Sequence, residues 1–169
     1  GAVRPVERIR FVAGRAIADN RAPEAQESSD MPTIFTRIID GELPGHFVWK
    51  DDQAVAFMTI QPIRPGHLLV IPRAEVDHWD ELPEAASAHL MLVSQRIARA
   101  LKDVYSPLRV GLMIAGLEIP HTHLHVLPID EMGDLSFMKA HAADAASLAA
   151  EAQRIRAALR ARGHREADF

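Results

Sequence analysis

The segment Pro120-His121-Thr122-His123-Leu124-His125-Val126-Leu127-Pro128 narrows the choices for this chain more than any other stretch. Leu124, Val126 and Leu127 favour a strand, and a proline brackets each end. Side chains two apart on a strand share a face. A strand over 121–128 therefore predicts His121, His123 and His125 on one side, roughly 6.6 Å apart, with Thr122, Leu124 and Val126 on the other. That spacing bears on chemistry. A metal ion draws ligand nitrogens to about 2 Å, so His121 and His125, roughly 13 Å apart along a straight strand, cannot share one. A row of imidazoles suits an elongated anionic substrate better: one ring attacks while a neighbour hydrogen-bonds a non-bridging oxygen or the leaving atom. An imidazole of ordinary pKa, about 6.5, is largely a free-base nucleophile at neutral pH. Attack on phosphorus gives a phospho-imidazole that water resolves, splitting one hard step into two.

Composition removes several other classes. Hydrophobic residues make up 48% of the 169 and charged residues 25%, the values of a folded single-domain chain. With 19 Lys+Arg against 23 Asp+Glu the net charge is −4, so no stable nucleic-acid partner is expected. No apolar run is long enough for a membrane span, which makes the cytoplasm the expected location. The chain has no cysteine, hence no thiolate zinc site and no cysteine nucleophile.

Residues 1–30 read as a flexible N-terminal extension. Arg4, Arg8, Arg10, Arg15 and Arg21 punctuate it, its apolar residues keep no period, and Met31 reads as an alternative start. The extension is expected to be dispensable for chemistry. The domain is expected over 31–140. Ile34, Phe35, Ile38 and Ile39 share one face of a short helix that Gly41 stops. Three β-rich runs follow, at 46–49, 54–60 and 67–72. A helix over 83–104 carries a stripe of Leu90, Val93, Ile97, Leu101 and Val104. Strands at 109–115 and 121–128 come next, then a C-terminal helical tail over 141–169, helical from about 147 to 162. This order predicts an α+β meander with helices on an antiparallel sheet.

HTHLHVL resembles the signature of the histidine triad (HIT) superfamily, His-φ-His-φ-His-φ-φ with φ apolar, Thr122 being a polar substitute at the first φ. TIFTRIIDGELPG, DDQAVAFMTIQPIRPGHLLVIPR and the long helix are similar to the corresponding parts of Hint-type members, so the likeness covers about residues 31–130. The resemblance implies the HIT fold, an antiparallel sheet of about five strands with a long helix and short flanking helices. It implies His123 as nucleophile, His125 at the phosphate and leaving group, His121 orienting the centre, and His67 as a further phosphate-binding histidine. Ile34, Phe35, Ile38, Phe57 and Ile60 match the apolar walls of a base pocket; plain core is the competing reading of those five. Thr59 stands where many members carry an acidic residue for the ribose hydroxyls. Other departures are Ala115 for an Asn, Gly116-Leu117 for a Gly-Gln pair, and Glu118 where a Ser or Thr often meets phosphate. A Cys-x-x-Cys pair that holds zinc in some members is here Thr33 and Thr36, so no metal and no cofactor are expected.

The function this implies is nucleotidyl hydrolysis or transfer through a phospho-histidine, on nucleoside phosphoramidates or adenylylated small molecules. The alternatives are a dinucleoside polyphosphate hydrolase, or a nucleotide-binding or interaction module with vestigial activity. The expected partners are a purine nucleotide or nucleotide conjugate and a second copy of the chain. In that homodimer the long helix, with Ala85, Ala86, Ala88, Ala98 and Ala100 beyond its stripe, would meet its counterpart beside the fourth strand. His46, His78, His89, His141 and His164 read as edge or surface residues, and Arg64 and Arg73 as loop charges.

Overall fold

The computed structural model describes residues 31–169; the extension expected over 1–30 lies outside the described residues. Thr33 caps the first helix, α1 (Ile34–Ile39), by accepting from the Thr36 N–H. The strands β1 (Phe47–Lys50), β2 (Ala54–Met58) and β3 (Leu68–Pro72) follow, then the long helix α2 (Glu84–Tyr105). After β4 (Arg109–Ile114) and β5 (Leu124–Ile129) the chain ends with helix α3 (Ala145–Ala161), capped by Asp144. The five strands form one antiparallel sheet in the order β1-β2-β3-β5-β4, the α+β architecture expected.

Every residue of β2 and β3 is buried, because the sheet is covered on both faces. Alternation sorts them. Ala54, Ala56, Met58, Leu68 and Val70 join Leu124 and Val126 in a core under α2 and α3. Val55, Phe57, Leu69 and Ile71 point the other way and pack with Phe35 of α1. The segment read as a tail shares the main core: Leu148, Ala152, Ile155 and Leu159 of α3 are buried in it, and so is Ala167 beyond the helix. His164 stacks against Trp49 at 5.4 Å between ring centres, well away from the triad.

Two sequence expectations shift. The last strand starts at Leu124 and not at His121, because the chain before it bonds elsewhere: Thr122 N–H donates to the Val76 carbonyl and its hydroxyl to that of Asp77. The three histidines therefore do not share one strand face. Ala100 is buried in the core instead of lying free on the outer side of α2.

Candidate active site

On β5, Leu124 and Val126 point into the helix-covered core, so His125 points to the opposite face, the side of α1. Registry then sets its neighbour. Leu69 pairs with His125 across β3 and β5, which puts His67, two residues before Leu69, diagonally opposite on the same face. Gly66, in the left-handed region at φ 85°, turns the chain into β3 there. The result is an imidazole pair joined at 3.0 Å between His67 Nε2 and His125 Nδ1.

The protons of that pair follow from what each partner can do. The Ile63 N–H donates to His67 Nδ1 at 3.0 Å, so the His67 proton sits on Nε2 and is donated to His125 Nδ1. His125 then keeps its own proton on Nε2. Burial pushes His67 down to about 4. Burial, with His67 and His123 close by, pushes His125 down to about 3. Both rings are neutral at physiological pH, and His125 is a hydrogen-bond donor there.

His123 is oriented differently. Its Nδ1 donates to the carbonyl of His121 at 2.7 Å, since a carbonyl can only accept. That leaves the Nε2 lone pair without a partner among the described residues. Phe35 and His125 each meet the His123 ring edge-on, at 5.0 Å between ring centres. His121 is fully buried behind them, its Nε2–H donating to the Pro72 carbonyl at 2.8 Å, and burial lowers its pKa.

Two clefts meet at His123 and His125. One, about 500 Å³ and mostly apolar, is lined by all six residues singled out for nucleotide: Ile34, Phe35, Ile38, Phe57, Thr59 and Ile60. Phe57 and Phe35 line this cleft and also belong to the core. The other cleft, about 360 Å³, lies on the His67 side among Ala115, Leu117, Glu118 and Phe137. Among the described residues no Lys or Arg lines either cleft. Arg64 is tied to Asp130 at 2.7 Å and to Asp134, and Arg73 donates to the Asp51 carbonyl. His89 is bound to Asp51 at 2.9 Å, so it is less free than a surface reading suggests.

Phe137, from the short turn Phe137–Lys139, packs edge-on against His125 at 4.9 Å, a role no sequence signal marked. Leu148, Ala143 and Ala145, from the segment read as a tail, complete the apolar cleft. Glu75 was equally unmarked. It lies in a polar stretch without periodicity, and only tertiary folding brings it to Thr33 and Thr36.

The neutral imidazoles make stability depend on pH. An unfolded chain takes up protons on His67 and His125 near pH 6.5, whereas the folded chain does so only near 4 and 3. Between those values the unfolded state binds more protons. Stability is thus full above about pH 6.5 and falls as the pH drops, by up to about 1.4 kcal/mol per pH unit for each histidine. Urea titrations between about pH 7.5 and 5 should show this decline, and the variant H67Q should flatten it. A profile as steep in H67Q as in the parent would mean that His67 is solvated.

The domain model described as HIT domain matches residues 40–132. An uncharacterised HIT-like protein of Borreliella burgdorferi is 36% identical over 102 residues, covering 56% of this chain and 73% of that protein. The adenosine 5′-monophosphoramidase HNT1 of Saccharomyces cerevisiae is 32% identical over 105 residues, 62% of this chain and 66% of the relative. Among solved structures, a zinc-bound histidine triad family protein from Mycobacterium smegmatis superposes with a TM-score of 0.67 at 27% identity, over 77% of this chain and 94% of the other.

Proposed function

Because this chain belongs to the HIT family, we propose that it hydrolyses or transfers nucleotidyl groups through His123, with nucleoside 5′-phosphoramidates or related adenylylated compounds as substrates. The observation that carries this reading is the Nδ1–H of His123 held on the His121 carbonyl, which leaves Nε2 as the free nucleophilic nitrogen where the two clefts meet. The base lies in the apolar cleft and the phosphorus beside His123. Nε2 forms a bond to phosphorus as the bond from phosphorus to the amine breaks. The charge that develops on the ring is stabilised through Nδ1–H by the carbonyl. His125, neutral, donates its Nε2–H to a phosphoryl oxygen or the departing nitrogen. A neutral imidazole does not give up its last proton, so the amine takes its proton from water. Water then attacks phosphorus, the P–N bond to His123 breaks, and a nucleoside monophosphate leaves.

The absence of lining cations among the described residues favours a substrate with one phosphoryl charge over a dinucleoside polyphosphate. Several phosphates would meet the Glu118 carboxylate with no Lys or Arg among the described lining residues to offset it. A like-charge contact of about 1–4 kcal/mol translates into a preference of at least about fivefold for adenosine 5′-phosphoramidate over diadenosine tetraphosphate in kcat/KM. Fluorogenic turnover assays of the two substrates test this, and an equal or reversed preference would sink it. HNT1, the adenosine 5′-monophosphoramidase of yeast, supports the substrate class.

Thr59 sets the ribose preference. Its oxygen already accepts the Gln61 N–H at 3.3 Å, and one hydroxyl proton is left for the sugar. One neutral hydrogen bond contributes about 0.5–1.5 kcal/mol, so 2′-deoxy analogues should bind within roughly tenfold of ribonucleotides. A ribose preference above about a hundredfold would mean that a charged group makes the contact.

A homodimer about α2 and β4 belongs to the same reading. β4 is a sheet edge with Leu112 exposed, and α2 exposes the apolar Met91 and Leu92. Sedimentation at micromolar concentration should give twice the monomer mass; a monomer alone would count against it.

A further inference from the structure

Thr33, Thr36, Glu75 and His121 come from three separate stretches of sequence and meet behind His123. The Thr33 N–H donates to Glu75 Oε2 at 3.0 Å, and the Thr36 hydroxyl donates to the same oxygen. The Thr36 N–H donates to Thr33 Oγ1 at 3.2 Å, and Thr33 Oγ1 lies 2.9 Å from His121 Nδ1. The proton directions are forced. The Pro72 carbonyl only accepts, so the proton of neutral His121 is on Nε2 and Nδ1 is an acceptor. The Thr33 hydroxyl must therefore donate to Nδ1. An ionised carboxylate also only accepts, which fixes the Thr36 hydroxyl as its donor. The Thr36 hydrogen bond, foremost among several causes, holds the Glu75 carboxyl below its ordinary value, so it is ionised at neutral pH.

Zinc does not fit this cluster. Thr33 and Thr36 present hydroxyls where a Cys-x-x-Cys pair would present thiolates, which leaves one imidazole and one carboxylate, short of a closed tetrahedral set. Those donors are already committed to one another through the threonines. Among the described residues no group of three or more His, Cys, Asp or Glu side chains is placed to hold a metal.

We propose that Glu75 is a positioning residue for His123: through Thr33 and Thr36 it fixes the His121 ring, and with it the carbonyl that receives the His123 Nδ1–H, by hydrogen bonds alone and without a metal. The proposal rests on the reading of His123 as nucleophile. A different role would be purely structural, since Glu75 also pins the first turn of α1, whose Ile34, Phe35 and Ile38 line the apolar cleft. The two roles separate in kinetics. Loss of positioning lowers kcat, because the nucleophile is misaimed, whereas loss of the cleft wall raises KM.

The experiment uses the full chain and adenosine 5′-phosphoramidate, with E75A, E75Q and T33V. E75A should lose at least about tenfold in kcat with KM within about threefold, and E75Q should recover most of it, because one amide oxygen can accept from both the Thr33 N–H and the Thr36 hydroxyl. T33V removes the donor to His121 Nδ1 and should lower kcat in the same way; it carries the test if E75A does not fold. A readout independent of turnover is the ring-nitrogen resonances of 15N-histidine-labelled protein. The parent should show His121 protonated on Nε2 and His123 on Nδ1, and in E75A or T33V the His121 signals should move toward a tautomer mixture. Protein made in zinc-rich medium should carry far less than one zinc per chain, with ring signals unchanged by a chelator. Unchanged kcat and ring signals in E75A and T33V would overturn the proposal, as would stoichiometric zinc, or a raised KM with kcat intact. If the parent hydrolyses no phosphoramidate, the assigned activity fails, while the resonances still decide what Glu75 does.

Discussion

Replacing His123 with alanine is expected to reduce phosphoramidate turnover by on the order of 10^4, the scale on which removal of a nucleophile acts. The size follows from the site. His67 and His125 have their Nδ1 atoms filled, by the Ile63 N–H and by the His67 Nε2–H respectively, and burial keeps both rings neutral with Nε2 as donor. His121 uses both ring nitrogens. No other histidine of the cluster can offer a lone pair to phosphorus, so no neighbour can take over. Binding of a nucleoside monophosphate should survive much better, because the apolar cleft keeps its other walls. Parallel measurement of kcat and of monophosphate affinity checks both, as does trapping a nucleotidyl adduct on the parent but not on the variant. A rate within tenfold of the parent would rule out the covalent step.

Ending the chain at residue 140 is expected to abolish cooperative folding. Leu148, Ile155 and Leu159 are buried against the sheet, and each such side chain contributes about 1.5–3 kcal/mol through burial. Three of them are comparable to the whole stability of a typical domain, about 5–15 kcal/mol. Removal also uncovers Trp49, Ala56 and Met58 on the sheet, and takes from Gly66 the Glu151 carboxylate that accepts its N–H at 2.6 Å. The turn that delivers His67 is thus tied to the last helix. Thermal melts followed by circular dichroism should show no sharp transition for the shortened chain. A transition within a few degrees of the parent would mean that α3 is an appendage after all.

Local chemistry in the sequence determined a good deal. The short β-rich apolar runs specified strands, the stripe on α2 specified a long amphipathic helix, and their order specified an antiparallel α+β sheet. These follow from periodicity, which a chain carries in itself. Spacing singled out His121, His123 and His125, because imidazoles two apart on a strand have few uses, and the resemblance to the histidine triad superfamily added His67. It could not say which of them faces the cleft. Registry between β3 and β5 pairs Leu69 with His125 and so brings His67 diagonally to it, and the bonding of Thr122 to the segment after β3 turns His121 inward. Protonation was beyond the sequence for the same reason. The tautomer of His121 depends on Pro72 and Thr33, 49 and 88 positions away, and that of His125 on His67, 58 positions away, contacts made only on folding. Likewise, Leu148 and Ile155 have a helical period whether they cover a core or face water, and only the uncovered side of the sheet made α3 part of the domain. A period names an element and the side it will bury. What that side meets, and which proton each buried ring keeps, is decided by contacts between distant parts of the chain.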